Sequence, residues 1–324
     1  MRCLQAGLCR RAAFAQRLLL TRRRLVRDFT IAIDGPAASG KSSTARAVAH
    51  ELGFGYIDSG SIYRCATLLA LRAGIADVDE RASDLIDMIT RASVDIKVHP
   101  GSTRPSLNLI TGRLAVPAVQ VLLNSEDVSE EIRKPEVNRL VAKVASDGGV
   151  RAAVLGIQRS LAAAAETKPM QVQGRDGAVK SVPGGVVMDG RDIGTTIFPN
   201  AELKIYLDAS AMARAIRRWD EMNSRPKDKQ ASGGKSASDN TAGAAAAAER
   251  PNQPAVEHHP SVEDIARELE ARDYADINRQ NSPLRIAPDA VVIDNTTLTF
   301  EQQVYTIADL ARDRMGLERQ HDDM

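Results

Sequence analysis

The residues with the clearest chemical meaning lie near the start of the chain, in the stretch IAIDGPAASGKSST (31–44). Gly35 to Ser42 fit the spacing G-x-x-x-x-G-K-[ST] at every fixed position. In such a loop, small residues let backbone N–H groups approach an anion, the lysine reaches terminal phosphates and the hydroxyl binds Mg²⁺. The sequence therefore predicts a nucleotide phosphate site, with Lys41 as its cation and Ser42 as a ligand of Mg²⁺.

A strand and a helix must position this loop. Ile31, Ala32 and Ile33 form a short apolar run before it, and apolar residues recur at helical spacing after it, in STARAVAHEL. Further apolar runs, FGYID, VVMD and LKIYLDA, each precede a polar turn and a helical segment. This alternation predicts an α/β fold with a three-layer α/β/α core and a parallel sheet.

Other segments interrupt the alternation. SVDIKV and PSLNLI are typical of short strands in an inserted unit, and a long helical region is predicted from about Lys134 to Ala165. We expect a loop with room for a small hairpin at 167–185. The stretch 224–260 is rich in Ser, Gly, Pro, Ala and Lys without apolar periodicity, so we predict a disordered insertion.

Composition limits the classes of function. The chain has 324 residues, a net charge of +1 and only 3% aromatic residues, which argues against a nucleic-acid surface. Outside the amino terminus no apolar run approaches the length of a membrane span, so we expect no membrane partner. Cys3, Cys9 and Cys65 show no metal-like or disulfide-like spacing, which indicates a reducing compartment.

The amino terminus differs from the rest of the chain. Its first 27 residues hold eight arginines, no lysine and no acid, with leucines and alanines spaced for one apolar helix face. That composition is typical of a mitochondrial transit peptide, so we predict one over residues 1–28 and a mitochondrial location. The alternatives are a disordered basic tail or a misassigned start, with a cytoplasmic location.

Three groups of charged residues could bind a phosphorylated acceptor. The first group lies in DSGSIYR, after a predicted strand. The second follows the strand VVMD, at the carboxyl edge where open sheets bind ligands. The third lies in RDYADINR, where a cation, an anion and a cation follow one another along one face of a helix. The three groups are Ser59 with Arg64, Arg191 with Asp192, and Arg272 with Asp276 and Arg279. Any one of them alone is also typical of a solvated surface.

A fourth group lies beside the predicted insertion. Ser210 is a candidate helix N-cap, and the following AMARAIRR places Arg214, Arg217 and Arg218 at i, i+3 and i+4. Arginines on one helix face are typical of lids that close over ATP, and equally of a solvated basic helix.

Together these motifs resemble the bacterial-type cytidylate kinase family of P-loop nucleoside monophosphate kinases. IAIDGPAASGKSS, YIDSGSIYR, EDVSEEIR, VVMDGRDIGTTIFPNAELKIYLDAS and RDYADINRQNSPLRIAPDAVVIDNTTLT occur in the same order as in its members. The resemblance spans about 29–165 and 184–314. GRDIGT and the R-D-x-x-D-x-x-R helix are more specific than the phosphate loop alone.

The resemblance implies ATP-dependent phosphorylation of CMP and dCMP with Mg²⁺, by a monomer. It implies a kinase domain over 29–320, with a monophosphate-binding insert at about 85–165 and a helical lid at about 211–283. The implied ATP-phosphate residues are Gly35, Pro36, Ala37, Ala38, Ser39, Gly40, Lys41, Ser42 and Ser43.

For the acceptor, the resemblance implies that the phosphate is held by Ser59, Arg64, Arg191 and Arg279, the cytosine by Arg151 and Asp192, and the sugar by Arg272 and Asp276. Arg214, Arg217 and Arg218 would neutralise the transferring group. Either Asp34 or Asp189 could orient Mg²⁺ through water. The chain departs from the family pattern at Ala142, where a serine near the base is common, and at Ala275, where bacterial members often have arginine.

Two other functions remain open at this stage. A P-loop kinase of another small metabolite, such as shikimate or a sugar acid, would keep the phosphate loop and the lid, but would not need GRDIGT beside the Arg-Asp-Arg helix. A non-catalytic nucleotide-binding protein would not need Lys41, Ser42 and the lid arginines.

Overall fold

The computed structural model describes residues 29–75, 77–98, 107–108, 113–114, 116–165, 170–173, 179–182, 184–223 and 260–317. In these ranges the strands are β1 (Phe29–Asp34), β2 (Gly55–Asp58), β3 (Val94–Val98), β4 (Leu107–Asn108), β5 (Arg113–Leu114), β6 (Val119–Leu123), β7 (Glu126–Asp127), β8 (Met170–Gln173), β9 (Val179–Val182), β10 (Gly185–Gly190), β11 (Leu203–Asp208) and β12 (Val291–Asp294). The helices are α1 (Lys41–Leu52), α2 (Ser59–Arg72), α3 (Ala82–Arg91), α4 (Pro135–Ser146), α5 (Gly148–Ala164), α6 (Ala211–Asn223), α7 (Val262–Asn278) and α8 (Phe300–Arg314). A 3₁₀ turn (Glu131–Arg133) and a π-helical turn (Ile193–Ile197) connect some of them.

The predicted apolar runs form one parallel sheet in the order β12-β11-β1-β10-β2. The register places Asp34 beside Gly190 and Asp189 beside Asp58. The strands run in the same direction, so their carboxyl ends meet at one edge of the sheet. That edge therefore receives the loops that carry most of the predicted chemical groups.

Helices cover both faces of the sheet, which confirms the predicted α/β architecture. On one face Ile31 and Ile33 pack in a buried cluster with α1 and α8. On the other face Ala32 and Met188 pack with α2 and α5. Since successive strand residues point to opposite faces, β1 contributes to both clusters, as an apolar central strand should.

The inserted unit contains more structure than the sequence indicated. β3 and β6 pair antiparallel and β7 extends the sheet, yet β6 and α3 were not predicted. The long helical region is two helices, because Asp147 adopts an extended conformation and accepts a hydrogen bond from the Val150 N–H at the start of α5. The small hairpin expected within 167–185 is present as the β8–β9 pair.

The predicted lid contributes two helices that pack on each other, α6 and α7. Ser261 begins α7 with a reciprocal hydrogen-bonding cap that includes Asp264. Arg279 is the C-cap of α7 with an extended backbone, so it is not on the helix itself as its spacing suggested. Except for Pro260, the predicted insertion lies outside the described residues, as does the predicted transit peptide. None of the described helices is long and apolar enough to cross a membrane.

Candidate functional site

The loop between β1 and α1 is held in a shape that suits anion binding. A Cβ atom at Gly35 would lie 2.2 Å from the carbonyl oxygen of Leu207, so only glycine allows this close approach to β11. Ala38 and Gly40 have left-handed backbones, with φ of 57° and 84°. The buried Ser39 Oγ has no hydrogen-bond partner among the described residues. The N-terminus of α1 and the Ser39 hydroxyl thus offer hydrogen-bonding groups to a ligand. This arrangement fits a nucleotide phosphate.

Lys41 is buried at the base of this loop, and its Nζ donates a hydrogen bond to the carbonyl oxygen of Pro36 at 2.8 Å. Burial lowers the pKa of Lys41, and the nearby charges of Arg191 and Arg272 lower it further, against the opposing effect of Asp189. A phosphate that approached this ammonium group would relieve that imbalance.

Ser42 and Asp189 offer oxygen atoms where Mg²⁺ would be expected. Ser42 Oγ donates to Asp189 Oδ2 at 2.6 Å, and Tyr56 donates to Asp189 Oδ1 at 2.7 Å. Asp34 is already used otherwise, because its two oxygens accept from the backbone N–H groups of Ile193 and Gly194 at 2.8 and 2.7 Å. Of the two acids considered for Mg²⁺, the geometry therefore favours Asp189. Mg²⁺ commonly takes one or two protein oxygens together with substrate phosphates, so this pair fits it.

The eight residues predicted to hold an acceptor line one cavity of about 410 Å³. A second cavity of about 580 Å³ borders the phosphate loop. The two cavities share Lys41, Ser42, Arg64, Arg218 and Arg272. The structure thus places two adjoining cavities around one group of cations. In the sequence, these residues belong to separate short motifs, and each motif was interpreted by itself.

A buried ion pair forms one wall of the smaller cavity. Arg151 Nη2 donates to Asp192 Oδ2, and Arg279 lies 3.7 Å from the other oxygen of Asp192. The guanidinium of Arg151 is 5.3 Å from the centre of the Tyr63 ring. Asp192 and Arg151 are 3% and 7% exposed. Ala142 lines the same cavity. This wall therefore combines hydrogen-bonding groups with an aromatic ring, which suits a nucleobase.

A second ion pair joins the sheet edge to α7. Arg191 Nε donates to Asp276 Oδ2 at 2.9 Å, and Arg279 Nη1 lies 3.4 Å from Asp276 Oδ1. Arg272 also faces the cavity, and it has no hydrogen bond or ion pair with the described residues. Arg272 is exposed to solvent at the cavity, but partial desolvation by the surrounding protein lowers its pKa, and Arg191 lowers it further. A dianionic phosphate would supply the missing counter-charge.

Ser59 and Arg64 complete the lining from α2. Ser59 begins the helix and Asp58, not the serine, is its N-cap, since Asp58 accepts from Ser61 N–H. Gln158 Nε2 donates to Ser59 Oγ at 2.8 Å, which leaves the serine hydrogen free to point at an anion. Sequence reasoning missed Gln158, because a glutamine within a helix carries no distinctive signal.

The three lid arginines have three different surroundings. Arg218 lines both cavities, and Arg217 donates to the side-chain and backbone oxygens of Asn295 beside the phosphate loop at 3.0 and 2.7 Å. Arg214 is 5% exposed and lines neither cavity. Its guanidinium bonds Ala209 O, Ala37 O and Asp273. In this conformation the charge of Arg214 is paired with Asp273, and its predicted role at the transferring group stays a prediction.

Comparison with known proteins identifies the relatives of this chain. The cytidylate kinase family model matches residues 31–183, 178–233 and 241–313. A cytidylate kinase of Mycobacterium avium is 35% identical over 292 residues, covering 90% of this chain and 99% of the relative. One from Geobacillus thermodenitrificans is 35% identical over 292 residues, with the same coverage. One from Pelodictyon phaeoclathratiforme is 37% identical over 284 residues, covering 88% of this chain and 95% of the relative.

The buried pair predicts that Asp192→Ala is destabilising. Without this carboxylate, the buried charge of Arg151 would lose its carboxylate partner and Arg279 would keep only Asp276, so we expect the free energy of unfolding to fall by about 3–5 kcal/mol. Urea unfolding monitored by circular dichroism measures it. The control is Glu126→Ala, which removes a partner of the more exposed Arg72 and should hardly change the midpoint. Equal midpoints for both variants would show that the Asp192 pair is well solvated.

Proposed function

The chain belongs to the cytidylate kinase family, and we propose that it transfers the γ-phosphoryl group of ATP to CMP or dCMP with Mg²⁺. The observation that carries this proposal is the pair of adjoining cavities that share Lys41, Ser42, Arg64, Arg218 and Arg272. Two phosphorylated ligands placed in them would direct their phosphates toward the same cations. We also propose that the active form is a monomer.

Positioning and charge are what these residues supply to the reaction. The acceptor phosphate is already anionic, so no residue has to remove a proton from it, and alignment with charge neutralisation dominates phosphoryl transfer. Ser59, Arg64 and Arg191 would orient the acceptor phosphate, and Lys41 and Arg218 would neutralise the charge between the two ligands. Mg²⁺, when bound, would offset part of the negative charge of the phosphates. Ser42 and Asp189 are the residues that would hold it.

Base recognition is assigned to the buried wall of the smaller cavity. Cytosine presents an amino group where uracil has a carbonyl, so the carboxylate of Asp192 favours cytosine and repels uracil. Arg151 fixes that carboxylate. Ala142 offers no side-chain hydrogen bond, so we propose that Asp192 carries most of the preference for cytosine.

The experiment that tests the function measures ATP consumption with CMP, dCMP, UMP, AMP, shikimate and gluconate. We expect the highest kcat/KM with CMP and dCMP. Lys41→Ala should lower kcat by at least about 10²-fold, because a preorganised cation at the transferring group is worth several kcal/mol. Turnover with none of these acceptors would contradict the kinase assignment. Retention of more than about a tenth of kcat would contradict the role of Lys41.

The lowered pKa of Lys41 predicts that ATP binding takes up protons. In the free protein burial and two arginines favour the neutral amine, whereas bound phosphates favour the ammonium form. At pH 8 the terminal phosphate of ATP is already ionised, since its last pKa is about 6. We therefore expect an uptake of up to about one proton per ATP.

The measurement is the calorimetric enthalpy of ATP binding in two buffers of different ionisation enthalpy. Wild-type protein should show a buffer-dependent enthalpy with the sign of proton uptake. Lys41→Met should lose most of this dependence. Proton release, or the same uptake in the variant, would show that another group titrates.

We propose that residues 1–28 direct the protein to mitochondria. The support is the arginine-rich, acid-free composition of this stretch, while the relatives compared above are bacterial. Fused to a fluorescent reporter, residues 1–30 should bring it to mitochondria. A matched fusion in which the arginines are replaced by glutamine should stay in the cytosol. Diffuse fluorescence from both fusions would favour the basic-tail alternative.

A further inference from the structure

Ala37, in the middle of the phosphate loop, is held from both sides by two residues of the lid helices. Its N–H donates to Asp273 Oδ1 at 2.9 Å, and its carbonyl oxygen accepts from Arg214 Nη1 at 2.8 Å. The same Nη1 lies 2.6 Å from Asp273 Oδ2. A closed ring of three interactions therefore fixes one peptide segment of the loop to α6 and α7. We refer to Ala37, Arg214 and Asp273 as the loop clamp.

The loop clamp is largely buried, although Ala37 also lines both cavities. Ala37 is 2% exposed and packs in a small apolar cluster with Ala215 of α6 and Leu269 of α7. Arg214 is further anchored by the Ala209 carbonyl at 2.9 Å. In such surroundings charged hydrogen bonds are strong, and the loss of one partner leaves the other unsatisfied.

The residue after the clamp needs this support. Ala38 has a φ of 57°, which costs a non-glycine residue free energy unless neighbouring contacts impose it. The clamp holds the preceding residue at both its N–H and its carbonyl, so the backbone cannot relax toward the helical or extended regions. The turn through Ala38 leads to Gly40, where the N–H groups of α1 begin.

We propose that Arg214 and Asp273 are positioning residues, which hold the phosphate loop in its anion-binding shape and link that shape to the two lid helices. They act through Ala37 and do not touch the substrates. Asp273 follows Arg272, which lines both cavities, so a single turn of α7 contacts the loop with one residue and lines the cavities with the next. Only the expected changes in kcat and KM rest on the proposed function.

The test uses Asp273→Ala and a control matched in burial. Arg312 and Glu51 form an ion pair at 2.7 Å whose side chains are 8% and 14% exposed, close to the 6% and 12% of Arg214 and Asp273, but this pair has no bond to the loop. Glu51→Ala therefore removes one carboxylate partner of a buried arginine, which keeps Asp309 at 2.9 Å, without disturbing Ala37. Both variants should unfold at a lower temperature than the wild-type protein.

Only the clamp variant should lose nucleotide affinity. We expect Asp273→Ala to raise the Kd of ATP, measured by calorimetry without acceptor, by about 10-fold, as the loss of a charged hydrogen bond would. Glu51→Ala should stay within about 2-fold. In steady-state assays Asp273→Ala should raise KM for ATP and lower kcat with little change in KM for CMP. Equal effects of both variants on the Kd of ATP would overturn the proposal.

Conservative and double variants keep the proposal testable if Asp273→Ala fails to fold. Asp273→Asn can still accept from the Ala37 N–H but loses the ion pair, so it should weaken ATP binding less. Combined Arg214→Met and Asp273→Asn should weaken it less than the sum of the single changes, because both break one ring. Additive losses would contradict a common clamp. Because the Kd needs no turnover, a wrong acceptor assignment would leave this result unaffected.

Discussion

The crowding of positive charge in one cleft is the constraint on which the site depends. After burial, nearby arginines are the largest cause that lowers the pKa of Lys41, Arg64 and Arg272. Like charges so close together are tolerated only if carboxylates or ligands compensate them. Asp189, Asp192 and Asp276 provide part of that compensation, and the rest is left for phosphates. An anionic ligand would relieve the repulsion among these cations, and this relief would contribute to its affinity.

The fold brings these charges together by two routes. The parallel sheet aligns the carboxyl ends of its strands, so the turn after β10 delivers Arg191 and Asp192 to the same edge as the phosphate loop. Helix α7 approaches that edge from the side of the lid and adds Arg272 and Asp276. Since the second route depends on a helix outside the central sheet, the cleft can be complete only when α7 is docked.

Much of this could be predicted from local patterns. The phosphate loop, the strands of the parallel sheet and the position of Arg191 and Asp192 follow from apolar periodicity and turn residues, which act over short distances. The stretch SDGG contains the residue types that break a helix at Asp147. We nevertheless predicted one continuous helical region, because the helical pattern extends on both sides of this stretch. The surroundings of Arg214 could not be predicted from the sequence. Helical spacing shows which residues share one face of a helix, but it does not show which other elements that face packs against. Its partners, Ala37 and Asp273, are distant in the chain.

The departures from the family pattern also acquire a physical meaning in the structure. Ala142 and Ala275 both line the smaller cavity. An arginine at 275 would add a further cation to a helix that already carries Arg272 and Arg279, so alanine reduces the repulsion there. With alanine at 142, the base recognition that we propose falls to Asp192, the same carboxylate that pairs with Arg151 and lies near Arg279. Under this proposal one side chain serves both selectivity and stability, which would leave the chain little freedom to change its base preference at that position.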